Sequence, residues 1–396
     1  MDKLAVNGGR PVRETMLPYG RQYVDEGDIE AVREVMKSDF LTTGPAVKKA
    51  EEKLCEITGA KYGVAVCNGT TALHCACMAA DISPGDEVIV TPLTFAASAN
   101  CVLYCGGTPV FADIDSETWE LSPQAVRDSI TPRTKAVIAV DYTGQPCEYS
   151  SIAGICEENG LTLIEDASHA IGTRYKGRPA GSIADMTTFS FHPVKTVTSG
   201  EGGAVMTDSY ETCDRLRLAA KHGITHNPKV TGTDDLWYYE QIELGNNYRL
   251  TDMQCALLMS QLEKLSLFAR RRKQITEQYK TALEDIPEVI LQREYEGSDT
   301  VRHIFVVRLD LSMLKAGRKQ VFDALRAENI GVNVHYIPVY WFPYYSAMGY
   351  RRGICPNAEA LYESIVTLPM FYSMTDGDVR DVIAAVKKVI YYYRTG

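Results

Sequence analysis

The stretch Thr187-Thr-Phe-Ser-Phe-His-Pro-Val-Lys195 carries a lysine from the end of an apolar strand into a glycine-rich turn, Ser199-Gly-Glu-Gly-Gly-Ala204. Most lysines are solvated surface residues. Glycine and small residues here let a ligand approach the backbone closely, and a buried amine has a depressed pKa and can form a Schiff base. Taken alone, the stretch is compatible with either a surface lysine or a reactive amine.

A second apolar run, Leu163-Ile-Glu-Asp166-Ala-Ser-His169, ends in an acid. The carboxyl ends of parallel strands form the ligand-binding edge of an α/β sheet. An aspartate at that edge can keep a pyridinium nitrogen protonated, so that the ring acts as an electron sink. The alternatives are a helix N-cap for Asp166 and a structural histidine for His169.

A third motif, Val66-Cys-Asn-Gly69-Thr70-Thr71, places free backbone N–H groups and two hydroxyls at the start of an apolar helix. Such a helix N-terminus suits a single phosphate. The Walker Gly-Lys-Ser/Thr ending and a G-x-G-x-x-G fingerprint are both absent, which disfavours a P-loop nucleotide site and an NAD-dependent oxidoreductase. A simple capped helix explains the motif equally well.

Phe95, in Thr91-Pro-Leu-Thr94-Phe95, puts an aromatic ring after another strand. Such a ring can stack on a planar cofactor, although core packing is the usual role of phenylalanine. Four motifs in order at successive strand ends together indicate a catalytic site.

Short apolar runs alternate with helical stretches between Tyr62 and Thr207, which predicts an α/β fold with a mostly parallel sheet covered by helices on both faces. A long helix is predicted from Thr251 to Asp285. Beyond it, a strand at His303–Leu309, a helix at Lys319–Ala327, a strand at Val332–Tyr336 and a final helix predict a compact α+β unit. We therefore expect a large domain at residues 1–285 and a small one at residues 286–396.

The composition is that of a globular protein, with 45% apolar and 23% charged residues. The net charge of −10 argues against nucleic-acid binding. No apolar run has membrane-span length, and the polar N-terminus together with eleven cysteines in no disulfide pattern predicts a cytoplasmic protein. No metal site is expected.

Together with Tyr19-Gly-Arg-Gln22, Leu244-Gly-Asn-Asn-Tyr-Arg-Leu-Thr-Asp252 and Asn333-Val-His-Tyr-Ile-Pro-Val-Tyr340, these motifs resemble the DegT/DnrJ/EryC1/StrS sugar aminotransferases. The resemblance covers nearly the whole chain. It implies the aspartate aminotransferase-like fold (fold type I) and pyridoxal 5′-phosphate (PLP) as cofactor, with PMP as its aminated form.

The resemblance also implies site roles. Lys195 corresponds to the Schiff-base lysine and Asp166 to the partner of the pyridine nitrogen. The other implied cofactor contacts are Phe95 for stacking, Thr70, Thr71 and Ser190 for the phosphate, His169 near the 3′ oxygen, and Asn247 and Arg249, which reach the neighbouring subunit's phosphate site. A homodimer with shared active sites follows from the last pair.

Within the family, the chain looks most like the pseudaminic acid branch, whose members aminate C4 of a UDP-linked 4-keto-6-deoxy-N-acetylhexosamine with glutamate as donor. Tyr19, His303, His335 and Tyr336 are the expected sugar contacts. Candidates for the diphosphate are Arg21, Arg174, Lys176, Lys229 and Arg249. One departure is Asp141-Tyr-Thr-Gly-Gln145, where many relatives have His-x-x-Gly-Gln.

Several alternatives stay open. Another nucleotide-linked keto sugar could be the acceptor, or the chain could be a PLP-binding regulator without turnover. A dehydratase would carry histidine at the position of Lys195, and a desulfurase would need a reactive cysteine on a mobile loop, so the residues favour neither.

Overall fold

The computed structural model describes residues 3–395 as an α/β protein. Its strands are, in chain order, β1 (Tyr62–Val66), β2 (Glu87–Val90), β3 (Thr108–Phe111), β4 (Thr134–Val140), β5 (Thr162–Asp166), β6 (Arg174–Tyr175), β7 (Arg178–Pro179), β8 (Met186–Ser190), β9 (Gly203–Thr207), β10 (Ile224–Thr225), β11 (Glu240–Gln241), β12 (Val289–Leu291), β13 (Ser298–Asp299), β14 (Phe305–Leu309) and β15 (Ile365–Leu368).

The α-helices follow the same order: α1 (Glu26–Met36), α2 (Pro45–Thr58), α3 (Gly69–Ala79), α4 (Ala97–Tyr104), α5 (Pro123–Ser129), α6 (Tyr149–Asn159), α7 (Tyr210–Ala220), α8 (Pro228–Thr231), α9 (Asp252–Glu263), α10 (Leu265–Leu283), α11 (Arg318–Ala327), α12 (Pro343–Ala347), α13 (Pro356–Ser364) and α14 (Asp376–Tyr393). The predicted alternation of strands and helices is confirmed, whereas α1, α2, α7, α8, α12 and α13 were not predicted.

The central sheet has the strand order β1-β9-β8-β5-β4-β2-β3. The strands β3, β2, β4, β5 and β8 run parallel, and β9 is antiparallel to both of its neighbours. A parallel neighbour needs a crossover connection, whereas an antiparallel one can follow after a loop. The loop between β8 and β9 carries Lys195, so the lysine stays at the end of the strands where β5 also ends.

Both faces of the central sheet are buried, which explains its continuous apolar strands. Ile138, Val140 and Ile164 face the core formed with α3 and α4. Val137, Ala139 and Leu163 face a second core with α5 and α6. Helices therefore hold the strand ends from both sides.

The second sheet is antiparallel, with the order β12-β14-β15. Its core includes apolar side chains of α10, α11 and α14. Side chains from the N-terminal residues, Leu4 and Leu17, join the same core.

The single helix predicted from Thr251 to Asp285 is wrong. Thr251 caps α9, which ends at Glu263, and α10 begins after Lys264. The Lys264 amine lies 2.8 Å from the Asp25 carboxylate and 2.7 Å from that of Asp28. Lys264 thus ties the helix break to the start of α1, a long-range contact that helical periodicity does not reveal.

The strand predicted at Val332–Tyr336 is also wrong. Only Asn333 pairs there, in an isolated antiparallel bridge to Thr367. The Asn333 side chain accepts a hydrogen bond from the next backbone N–H at 2.8 Å, and Pro338 has no N–H to donate. A hydrogen bond from the backbone to the Asn333 side chain therefore forms where a strand would have continuous backbone pairing.

All eleven cysteines are free, and most are buried. Among the residues described, no helix combines the length and apolar character needed to cross a membrane. Within residues 3–395, no three His, Cys, Asp or Glu side chains are grouped so that they could hold a metal ion.

Candidate active site

Asp166 is the last residue of β5, and its buried carboxylate is fixed by two serines. The Ser98 hydroxyl donates to Oδ2 at 2.7 Å, while the hydroxyl and backbone N–H of Ser168 donate to Oδ1 at 2.6 and 3.2 Å. Ser98 also bonds to the Thr94 hydroxyl at 2.7 Å. These hydrogen bonds fix the orientation of the carboxylate before any ligand binds, so Asp166 is not a helix N-cap.

Lys195 lies half-buried in the loop between β8 and β9. Burial lowers the pKa of its amine to about 8, against the opposing effect of the Asp166 carboxylate. An amine with this pKa is partly neutral near physiological pH, as a nucleophile or a general base requires. The surface-lysine interpretation is therefore disfavoured.

His169, in the loop after β5, is buried beside Lys195. Its Nε2 lies 3.1 Å from the Tyr336 hydroxyl, and its ring centroid is 4.5 Å from that of His303. Burial, followed by the charge of Lys195, lowers the pKa of His169 well below its usual range, so the ring is neutral. Among the described residues its Nδ1 has no hydrogen-bond partner.

His335 and Tyr336 lie between the two sheets. Nδ1 of His335 is 2.9 Å from the Thr367 hydroxyl, and its ring centroid is 5.5 Å from that of Tyr19. Burial lowers the pKa of His335 to about 4. Burial also lowers the pKa of His303 well below its usual range, with contributions from His169 and Lys195. The predicted sugar contacts Tyr19, His303, His335 and Tyr336 therefore form one connected group with His169, close to Lys195.

The start of α3 and the end of β8 meet at Gly69. A Cβ on Gly69 would lie 2.8 Å from Cβ of Ser190, so this approach requires glycine. Asn68 caps the helix by accepting the Thr71 N–H at 2.8 Å, and the Thr71 hydroxyl returns a bond to the Asn68 backbone at 2.9 Å. The Thr70 and Ser190 side chains remain half-buried beside the helix N-terminus.

Phe95 follows β2 with 64% of its surface exposed, and its ring centroid lies 6.5 Å from that of Tyr336. Its ring is therefore not part of the core. Asn247 is exposed, and its backbone forms an isolated bridge with Lys221. The half-buried Arg249 pairs through its backbone with Val66, at the end of β1.

The sequence interpretation did not identify Ser98, Ser168 or Thr94 as site residues. A weak signal existed for Ser98, because Thr94 and Ser98 are two hydroxyl residues in an otherwise apolar stretch, on either side of the point where α4 begins. No local pattern identifies their acceptor, since Asp166 joins them only through the strand order β5-β4-β2.

Two grooves lie away from these residues. One, of about 870 Å³, is lined by residues of α2, α9 and α10 and by Arg174. Another, of about 440 Å³, has a mainly cationic lining of Arg217, Lys221 and Lys229, together with His226 and one acid, Asp214. Lys176 bonds to the Ser150 hydroxyl at 2.7 Å and lies 3.4 Å from Glu148. Of the five diphosphate candidates, Lys229 lines this cationic groove, and Arg174 lines the larger groove together with Lys53, Arg270 and Lys273.

The chain is similar to known proteins over nearly its full length. A model of the DegT/DnrJ/EryC1/StrS aminotransferase family matches residues 22–387. SpsC of Bacillus subtilis strain 168, a spore coat polysaccharide biosynthesis protein, is 39% identical over 381 residues, covering 96% of this chain and 98% of SpsC.

Solved structures of aminotransferases are also similar to this chain over nearly its full length. PseC of Helicobacter pylori, an aminotransferase involved in the biosynthesis of pseudoaminic acid, superposes with a TM-score of 0.88 at 29% identity, covering 96% of this chain and 100% of PseC. Spr1654 of Streptococcus pneumoniae in its PLP form has a TM-score of 0.88 at 28% identity, covering 96% of this chain and 100% of Spr1654.

Proposed function

The chain belongs to the DegT/DnrJ/EryC1/StrS aminotransferase family, which is PLP-dependent, and from this premise we propose its reaction. It transfers an amino group from glutamate to C4 of a UDP-linked 4-keto-6-deoxy-N-acetylhexosamine, as in a pseudaminic acid type pathway. The similarity to PseC supports the choice of sugar.

One observation carries the proposal: a half-buried lysine amine with a pKa of about 8 faces a carboxylate that two serines hold in place. A lysine on the solvated surface would have neither a depressed pKa nor an oriented carboxylate beside it. Lys195 and Asp166 are therefore the proposed catalytic residues.

The surrounding residues fit PLP. Asp166 would meet the pyridine nitrogen, and the unpartnered Nδ1 of His169 would meet the ring's 3′ oxygen. Phe95 would stack on the ring. Thr70, Thr71 and Ser190 would hold the phosphate at the start of α3, where backbone N–H groups favour an anion. When bound, PLP supplies an electron sink for the electron pair released at the donor's Cα.

Lys195 handles the protons. As a neutral amine, its Nζ accepts the proton from Cα of glutamate, and as an ammonium it can give that proton up again. A pKa near the working pH allows one group to act in both directions. Ser98 and Ser168 donate to Asp166 and fix its orientation, and neutral His169 adds no charge that would compete with the ammonium form of Lys195.

Tyr19, His303, His335 and Tyr336 are the proposed contacts for the keto sugar. Nδ1 of His335 and the Tyr336 hydroxyl are already oriented by Thr367 and His169, which limits the cost of ordering these two side chains on binding. The diphosphate would be met by cations, of which Lys229 and Arg249 are favoured. Lys229 lines the cationic groove, and Arg249 is near enough to Lys221 to contribute to the lowered pKa of that lysine, after burial and Arg217.

A homodimer with shared sites is proposed from the segment between α8 and α9. Leu236 and Leu244 are 98% and 85% exposed, and Trp237 and Tyr239 are exposed as well. Large apolar side chains grouped on a surface mark a contact with another protein. Burying them against a second copy would bring Asn247 and Arg249 to the partner's phosphate site.

We also propose a division into domains at residues 1–285 and 286–396. A separate apolar core on the sheet β12-β14-β15 supports it. The free thiols fit a reducing, cytoplasmic compartment.

Purified protein reconstituted with PLP would be incubated with glutamate and the UDP-4-keto sugar, and 2-oxoglutarate and the UDP-amino sugar would be quantified by chromatography. We expect both products in equal amounts, and neither with Lys195→Ala. Turnover only with a dTDP-linked keto sugar would overturn the substrate and keep the reaction. Cofactor binding without 2-oxoglutarate release from any keto sugar would overturn the enzyme in favour of a regulator.

A further inference from the structure

Behind the candidate site, three carboxyls are buried together: Glu120, Asp141 and Glu165. Asp141 follows β4, and Glu165 precedes Asp166 in β5. In the parallel pairing of β4 with β5, Ala139 lies opposite Glu165 and Val140 opposite Asp166. Because side chains alternate along a strand, Asp141 and Glu165 share the sheet face opposite to that of Asp166.

One oxygen of each acid has donors. Oδ1 of Asp141 accepts from the Tyr149 hydroxyl at 2.6 Å and the Cys147 N–H at 3.3 Å. Oε2 of Glu165 accepts from the Thr187 hydroxyl at 2.6 Å and the Gly181 N–H at 3.2 Å. Each carboxyl is therefore oriented from one side.

The second oxygens, Oδ2 of Asp141 and Oε1 of Glu165, are buried, and no donor in residues 3–395 reaches either of them. The two carboxyls are within hydrogen-bonding reach of each other. Two ionised carboxylates would repel at this distance and leave both oxygens unsatisfied, which is costly in an apolar interior. A single proton between the two oxygens satisfies both.

The surrounding charges favour keeping that proton. Glu120 faces Asp141 and adds negative charge, while the Tyr149 and Cys147 side chains are neutral neighbours. Burial, followed by the charge of Glu165, raises the pKa of Asp141, and burial also raises the pKa of Glu165.

Two arginines supply the opposing charge. Arg302 lies nearer to Glu120, whose pKa burial also raises, and pairs with Glu294 at 2.9 Å. Arg178, on the exposed strand β7, acts on Glu165 only weakly through solvent. Neither arginine forms a hydrogen bond or ion pair with the two acids among the contacts of the described chain.

We propose that Asp141 and Glu165 share one proton at neutral pH and act as a positioning pair for Asp166. The pair joins the ends of β4 and β5, and the Asp141 N–H donates to the Asp166 carbonyl at 3.1 Å. Movement of Asp141 would therefore move the residue that Ser98 and Ser168 orient. The role of Asp166 toward the cofactor rests on the proposed function, whereas the shared proton does not.

The proton is tested on the apoprotein by urea unfolding at pH 6 and pH 7. A native state that binds one more proton than the unfolded chain loses stability as pH rises, tenfold in the folding constant per pH unit. Asp141→Asn or Glu165→Gln removes this proton and leaves an amide to donate in its place. The ratio of the variant's folding constant to that of the wild type should therefore rise about tenfold from pH 6 to pH 7.

The double variant Asp141→Asn/Glu165→Gln separates one shared proton from two independent ones. A shared proton gives the double variant the same tenfold change as each single variant, whereas two separate protons would give about a hundredfold change. Asp128→Asn, at an exposed carboxyl of α5, is the matched control and should give a constant ratio. A constant ratio for the Asp141 and Glu165 variants would overturn the shared proton.

The positioning role is tested with PLP by following the visible absorbance of the bound cofactor against pH. Asp141→Leu keeps the approximate size but cannot hydrogen-bond, and it should shift the midpoint of the titration and lower kcat at unchanged KM for glutamate. Asp141→Asn should restore both values toward wild type. If Asp141→Leu unfolds, Glu165→Leu against Glu165→Gln provides the same comparison; equal midpoints for the leucine and amide variants would overturn the role. Absence of cofactor binding in all variants and the wild type would instead refute the proposed function.

Discussion

Nε2 of His169 lies 3.1 Å from the Tyr336 hydroxyl, and this contact joins the loop after β5 to the end of the segment that was predicted as a strand, Val332–Tyr336. Neither residue has another side-chain partner that would orient it equally well in the described chain. The hydrogen bond therefore fixes the ring of His169, and with it the direction of the unpartnered Nδ1.

Tyr336→Phe should lower kcat/KM by about five- to tenfold, because a neutral hydrogen bond contributes about 1 kcal/mol. The ring contacts with Phe95 and His335 would persist. Steady-state kinetics with glutamate and the keto sugar would measure the loss. Tyr344→Phe, at an exposed tyrosine of α12, is the control. Equal kcat/KM for Tyr336→Phe and wild type would show that His169 does not depend on this bond.

Lys195→Met should stabilise the apoprotein. The folded-state pKa of Lys195 is about 8, below its unfolded value of 10.5, so the folded protein binds fewer protons than the unfolded chain between these values. The penalty is full below pH 8, at roughly 3 kcal/mol, and disappears as pH rises through 10.5. Urea unfolding at pH 7 and pH 10 should show a gain for the variant that shrinks at the higher pH.

The control for that measurement is Lys319→Met, at a lysine whose side chain is 85% exposed, which should leave stability nearly unchanged at both pH values. A destabilised Lys195→Met apoprotein would contradict the depressed pKa.

Ser98→Ala should weaken PLP retention by about five- to tenfold, since Asp166 loses a charge-assisted donor and keeps, among residues 3–395, the bonds from Ser168. Equilibrium dialysis followed by absorbance would give the cofactor Kd. Ser129→Ala removes a serine of α5 that donates to a backbone carbonyl at 2.7 Å, and it should leave the Kd unchanged. Identical Kd values for Ser98→Ala and wild type would remove Ser98 from the site.

Gly69→Ala should weaken PLP binding more than tenfold, because the new methyl would meet Ser190 at 2.8 Å and push apart the start of α3 and the end of β8. Pyridoxal without its phosphate should lose far less affinity. Gly154→Ala, in α6 with nothing within 4 Å of the new Cβ, is the matched control, and alanine there should stabilise the helix slightly. Equal losses for PLP and pyridoxal would place the effect outside the phosphate contacts.

The central sheet could be predicted from the sequence, because buried parallel strands leave continuous apolar runs that end at polar residues such as Asp166. The neighbourhood of Lys195 and Asp166 could also be predicted, since both follow strands that end at one edge. The contacts of Ser98 and of Lys264 could not be predicted, because they join residues far apart in the chain. The sequence predicts a strand at Val332–Tyr336, whereas in the structure the Asn333 side chain accepts the Val334 N–H and the segment pairs through a single bridge from Asn333 to Thr367.

The buried free thiols have a practical consequence. Burial raises the pKa of Cys75, Cys156 and Cys255 to about 12 each, so these sulfurs stay protonated and react slowly with alkylating reagents. They lie in α3, α6 and α9, on different sides of the central sheet. The rate at which each cysteine is alkylated in the native protein would therefore report how often its own helix opens. The three thiols give three separate measurements of local unfolding in one chain, without any added label.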